Sequence, residues 1–152
     1  MKWVNPPVAW MMHAGVPLLR SAGWTLPGLQ AGRSDCVALE AYPGLLAREI
    51  VGHRSYKSDD KQKQTPERWL ARKDILHALD LAQTRLALRL KLSPAQHDLL
   101  LADGSGDRLD AVLCMVQAGW AATQHALAEA AGQTGSYGLP KFDPLEGWIV
   151  SA

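Results

Sequence analysis

The chain has 152 residues and a mass of 16.5 kDa, enough for one domain with its own core and short for two of ordinary size. Its composition, 47% hydrophobic and 20% charged, excludes disordered and collagen-like classes, and a formal net charge of +1 excludes a general electrostatic coat for nucleic acid. Cys36 and Cys114, its two cysteines, lie far apart among apolar residues. They predict small core hydrophobes in a reducing compartment, with no disulfide framework or zinc site.

Asn5-Pro6-Pro7 predicts a helix start, with Asn5 as N-cap and proline in the first turn. The helix covers residues 8–19, weakened by Gly15 and Pro17. Lys2 precedes this apolar run, as in a signal sequence. The Asn-Pro-Pro break falls where an uninterrupted apolar stretch of about 7–15 residues should begin, so a cytoplasmic protein is expected. Residues 23–33 are rich in Gly and Pro and predict loop. Residues 36–42, bounded by Asp35 and Pro43-Gly44, give the best strand signal, and a short helix follows over 44–51.

Residues 52–64 form a polar loop carrying His53, Arg54 and Lys57, and between Arg48 and Lys73 eight basic residues face four acidic ones. A solvated face accounts for such a loop, as does a phosphate-facing one. Thr65-Pro66 opens a long helix expected to reach about Leu90, with Trp69, Leu76, Leu79, Leu86 and Leu90 at helical spacing and Ile75 widening the stripe. Ser93-Pro94 repeats the start signal for a helix to about Leu101. Residues 102–106 break the chain, 107–131 predict a second long helix, 132–144 a loop, and 148–150 a strand or docked tail. The longest stretch without Asp, Glu, Lys or Arg, 111–128, is interrupted by Gln117, Thr123, Gln124 and His125. It falls short of the roughly 20 apolar residues of a membrane span. One strand alone cannot satisfy its backbone groups, so either further strands or a partner outside the chain are expected.

Phosphate-binding loops of the G-x-x-x-x-G-K-[ST] kind, H-E-x-x-H, C-x-x-C and G-x-S-x-G are absent, and Gly104-Ser105-Gly106 lacks the third glycine of a dinucleotide fingerprint. Two acidic features stand out. Glu40 lies in the middle of an apolar segment, where an ionised carboxylate needs either an exposed face, an Arg partner or a function. Asp107 and Asp110, three apart, share a helix face. Two carboxylates held roughly 4 Å apart repel by about 4 kcal/mol at an effective dielectric of 20, so such a pair is screened by water, shares a proton or holds a cation. Capping of the helix start accounts for both residues as well. A strand carboxylate and two helix-start carboxylates together suit oxygen-liganded Mg²⁺ or Mn²⁺, ions that in pairs promote phosphodiester hydrolysis, with Lys57 and its basic neighbours on the phosphate backbone.

The segments Asn5-Pro6-Pro7-Val8, Leu39-Glu40-Ala41-Tyr42-Pro43, Tyr56-Lys57, Asp107-Arg108-Leu109-Asp110-Ala111 and Glu146-Gly147-Trp148-Ile149 run across nearly the whole chain. In this order they resemble a bacterial and archaeal family of predicted ribonuclease-H-like nucleases, whose fold is similar to that of RuvC-type junction resolvases. The resemblance implies that Glu40, Asp107 and Asp110 are catalytic metal ligands for Mg²⁺ or Mn²⁺, with Lys57 contacting nucleic acid. It also implies a domain opening on a strand with a Gly-hydrophobic-Asp motif, which does not precede Trp3. The expectation is therefore a single α/β domain over 1–152, helix-rich, corresponding to the C-terminal part of a ribonuclease-H-like fold and lacking its N-terminal strands and first catalytic Asp. Two functions are expected on this basis: a divalent-metal-dependent nuclease, or a non-catalytic remnant that binds a partner or forms a homodimer through exposed sheet edge.

Overall fold

The computed structural model describes residues 6–133 and 136–151, without the side chains of residues 6–8. Asn5 lies outside these residues. The elements are α1 (Pro6–Ser21), β1 (Trp24–Thr25), β2 (Arg33–Val37), α2 (Pro43–Val51), α3 (Pro66–Asp80), α4 (Pro94–Ala102) and α5 (Asp107–Ala130), with a 3-10 turn at Lys61–Lys63. The chain is helix-rich with a small two-stranded parallel sheet. It divides into two compact units: one runs to Glu40 and takes in Lys141–Gly147, and the other comprises Ala41–Pro140 with Trp148–Ala152.

In the first unit, α1 leads into β1, which pairs with β2 in an irregular register that matches Trp24 to Arg33 and Thr25 to Val37. Thr25 fastens the pair: its hydroxyl donates to the Arg33 carbonyl (2.9 Å) and accepts from the Gly32 N–H (3.1 Å). Gly32 must be glycine here, because a Cβ would stand 2.4 Å from the Gly23 carbonyl oxygen. The strand expected over 36–42 is shifted: it covers Arg33–Val37, and Glu40 lies beyond its end, exposed. β1 supplies no partner after the Thr25 carbonyl takes the Ala38 N–H, because Leu26 turns away to bridge Gln30. The apolar run after Val37 therefore has no ladder to join.

The second unit holds the main core, in which Leu46, Ala71, Ile75, Leu76, Leu79, Leu109 and Leu113 are almost wholly buried where α2, α3 and α5 meet. α4 packs on α3 and adds Leu100 and Leu101. Pro43, Pro66 and Pro94 each open their helix, where the missing N–H costs nothing. Ser93 and Gln96 complete a capping box on α4, whereas Thr65 makes no side-chain cap on α3.

The helix expected from Thr65 to about Leu90 ends ten residues early, at Asp80. Its terminus is a Schellman motif, with Gln83 N–H on the Ala78 carbonyl (2.8 Å), Ala82 N–H on the Leu79 carbonyl (3.2 Å) and Ala82 left-handed at φ 54°. Glycine usually marks that position, and here alanine fills it. Leu86 and Leu90 are buried as expected, but from a returning segment whose Leu90 N–H bonds the Leu79 carbonyl at 3.0 Å. The tail segment at 148–150 forms no strand and docks instead. Val150 is fully buried, and the Gln117 amide of α5 donates to the Val150 carbonyl (3.2 Å) and the Ser151 hydroxyl (3.0 Å).

Candidate functional site

The start of α5 and the loop after α2 build one polar cluster in the second unit. Asp110, in the first turn of α5, directs its carboxylate away from the helix. Oδ1 accepts from the Tyr56 hydroxyl at 2.5 Å, and Oδ2 is ion-paired with the Lys57 ammonium. Asp110 is mostly buried and Lys57 partly so, with side-chain exposures of 19% and 41%. Burial first, and the Asp110 carboxylate second, hold the Tyr56 phenol far above its ordinary value, so at neutral pH it serves Asp110 as a donor. Burial and the same carboxylate also push the Cys114 thiol up.

Three features hold Tyr56 and Lys57 in place. Arg72 of α3, only 4% exposed, donates from Nη1 to the Tyr56 carbonyl (2.8 Å) and from Nε to the Leu101 carbonyl at the end of α4 (3.0 Å). Gly106, left-handed at φ 77°, lies against the Lys57 stem, where a Cβ would come within 2.6 Å of the Lys57 Cβ. Ser58 N–H bonds the Gly104 carbonyl (3.1 Å), and the Gln64 amide returns to the Ser58 carbonyl. The Gly-Ser-Gly break thus clamps the Tyr-Lys loop on the helix start.

Capping of α5 falls to neither Asp107 nor Asp110. Gly106 is the N-cap residue, and Asp103 supplies the carboxylate: Oδ2 accepts the Arg108 N–H (2.9 Å) and Oδ1 the Ser105 hydroxyl (2.8 Å). Burial pushes Asp103 upward, but these hydrogen bonds and the Arg108 charge outweigh it and leave its carboxyl below the ordinary range. Asp107 is exposed, and its Oδ2 accepts from the Ser105 hydroxyl at 3.1 Å.

Of the four residues singled out from sequence, the structure brings Asp110 and Lys57 into contact. Asp107 is one turn earlier on α5, engaged with Ser105. Glu40 belongs to the first unit, where a Cβ on Gly147 would lie 3.3 Å from its Oε2. The Glu-Ala-Tyr-Pro and Glu-Gly-Trp-Ile segments therefore meet at Glu40 and Gly147, as the Tyr-Lys and Asp-x-x-Asp segments meet at Asp110. Among the described residues no three His, Cys, Asp or Glu side chains form a ready metal cluster.

Beside Asp110 the second unit contains a cavity of about 320 Å³ lined by Tyr42, Arg48, His53, Arg54, Tyr56 and Lys57, among others. Arg54 is held by Asp74 (2.8 Å), whereas Arg48 is exposed and has no ion-pair partner among the described residues. Pro43 and Gly44, at the uncapped start of α2, line the same cavity. Sequence reading missed Arg72, Asp103 and Tyr56 as organisers of the site; the Asp-x-Ser before α5 is a signal for Asp103, whereas the burial that gives Arg72 its role appears only in the structure. Comparison with known protein families, curated proteins and solved structures finds no match. No described helix is long and apolar enough to cross a membrane.

Proposed function

We propose that the chain is a divalent-metal-dependent nuclease of the ribonuclease-H-like type, with Asp107 and Asp110 as carboxylates of its site, Mg²⁺ or Mn²⁺ as cofactor and Lys57 on the nucleic-acid side. The observation that carries this proposal is the placing of Asp110 in one cavity with Arg48, Arg54 and Lys57. A carboxylate that attracts a cation and cations that attract phosphate are the two halves of phosphodiester chemistry.

The donor chemistry fits an oxygen-liganded ion: Asp107 and Asp110 offer hard carboxylate oxygens, and the Lys57 ammonium already stands as a cation against Asp110. When bound, such an ion activates water and offsets charge on the leaving oxygen. Asp110 would hold the ion, Lys57 beside it would be placed to meet the phosphate, and Tyr56 orients one carboxylate oxygen through its hydroxyl.

Hydrolysis of single-stranded DNA and RNA in Mn²⁺, compared with Asp110→Asn and Asp107→Asn, tests this function. Loss of cleavage in both variants is expected; wild-type cleavage that both variants retain would count against it. A second function has its own observation. α1 exposes Trp10 (68%), Met11 (72%), Met12 (61%) and Leu18 (69%), and the two-stranded sheet has open edges, as in a non-catalytic module that binds a partner or dimerises. A concentration-dependent sedimentation profile together with no cleavage would favour that function.

A further inference from the structure

The cavity beside Asp110 has the size of a single ligand. Its volume of about 320 Å³ falls at the small end of the roughly 300–1,000 Å³ typical of small-molecule sites. A duplex would instead need an extended basic surface of about 1,000 Å² or more.

Its charge is one-sided. Arg48, Arg54 and Lys57 are cationic and face one carboxylate, Asp110, which Lys57 and Tyr56 already engage. The surplus is carried by Arg48, exposed and without an ion-pair partner among the described residues; Arg54 is paired with Asp74 through Nη1 and bonds the Val51 carbonyl through Nε (3.4 Å), so it adds hydrogen-bond donors more than charge. Guanidinium groups match the geometry of a phosphoryl group.

The cavity also has an aromatic wall. Tyr42 is 43% exposed, and its ring lies over Gly44, where a Cβ would approach within 3.0 Å of it. Glycine there lets the ring settle against the first turn of α2, and a half-exposed aromatic ring lining a cavity is the kind of surface on which nucleobases stack.

We propose that this cavity seats one phosphorylated nucleotide unit, with the phosphoryl group on Arg48 and Arg54 and the base against Tyr42, and that its source is the end of a single strand. The proposal rests on the nuclease function above and names its substrate class.

Calorimetric titration of the full chain in EDTA tests it with four probes: adenosine 5′-monophosphate, adenosine, inorganic phosphate and a 5′-phosphorylated dinucleotide. The monophosphate and the dinucleotide bind without metal, and adenosine binds more weakly by about tenfold or more, as expected when the contacts to Arg48 and Arg54 are both lost. Arg48→Glu lowers monophosphate affinity about tenfold or more, and Arg48→Ala does so to a lesser degree. Tyr42→Ala weakens the monophosphate but leaves inorganic phosphate unchanged. A dinucleotide that binds more tightly than the monophosphate assigns the strand end; the reverse order assigns a free nucleotide and overturns that part of the proposal. Equal binding of adenosine and its monophosphate, or an Arg48→Glu variant with unchanged affinity and an unchanged unfolding temperature, overturns the whole. Because binding is read in the chelator and cleavage in Mn²⁺, absence of cleavage in Mn²⁺ with monophosphate binding retained in EDTA counts against the nuclease function alone.

Discussion

Arg72→Met removes the side chain that ties the Tyr-Lys loop to the helical core. The guanidinium is 4% exposed and makes two bonds, to the Tyr56 carbonyl at 2.8 Å and to the Leu101 carbonyl at 3.0 Å. Hydrogen bonds from a charged donor contribute about 1.5–3 kcal/mol each, and the two carbonyls would be left short of a partner. Methionine fills much of the space and removes the cost of keeping a charge buried, a cost visible in the downward push that burial gives the Arg72 pKa. The net loss is therefore smaller than the sum, about 2–4 kcal/mol. In a chain of this length that lowers the unfolding temperature by about 4–16 °C, with Arg72→Lys in between because an ammonium cannot span both carbonyls. Circular dichroism at 222 nm on the three proteins measures it. An Arg72→Met protein that unfolds at the wild-type temperature would refute the role given to Arg72.

Further substitutions address the neighbouring contacts. Tyr56 has a folded-state pKa raised above its unfolded value near 10.0, so its contribution to stability is full below that pH and declines as the pH rises past it. Tyr56→Phe should accordingly flatten the alkaline fall in stability, and parallel profiles for the two proteins in pH-dependent denaturation would contradict this. Gly106→Ala forces a side chain into a left-handed position and against Lys57 Cβ at 2.6 Å, a cost of about 1–3 kcal/mol that urea denaturation should register and that an unchanged midpoint would disprove. Ser93→Ala breaks the capping box of α4 and should cost about 1 kcal/mol, or about 2–4 °C in a thermal melt; an unaltered melt would deny the cap its role.

Helix starts were the most legible part of the chain, because proline and capping residues act locally: Pro66 and Pro94 open helices where sequence grammar places them, and Pro43, read as the end of a strand, opens α2. Helix ends were less so. The turn after Asp80 uses a left-handed Ala82, and alanine gives no sequence signal for that conformation. Leu86 and Leu90 kept helical spacing and burial without helical backbone, since the spacing reports a buried face and not the path that supplies it. The strand before Tyr42 was displaced because pairing partners, not apolar content, set its length. In the site, Asp110 and Lys57 were both singled out, but their pairing spans 53 positions and depends on Arg72 and Gly106, which only the tertiary structure relates to them.

The nuclease proposal requires Asp110 to belong to a carboxylate site that takes a divalent cation. Calorimetric titration of Mn²⁺ into the full chain and into Asp110→Asn measures it most directly, with circular dichroism confirming that the variant folds. Saturable binding by the wild type that the variant loses is the predicted result. Absence of binding in the wild type, or equal binding by both proteins, would contradict it and leave the Lys57 ammonium as the cation that Asp110 holds.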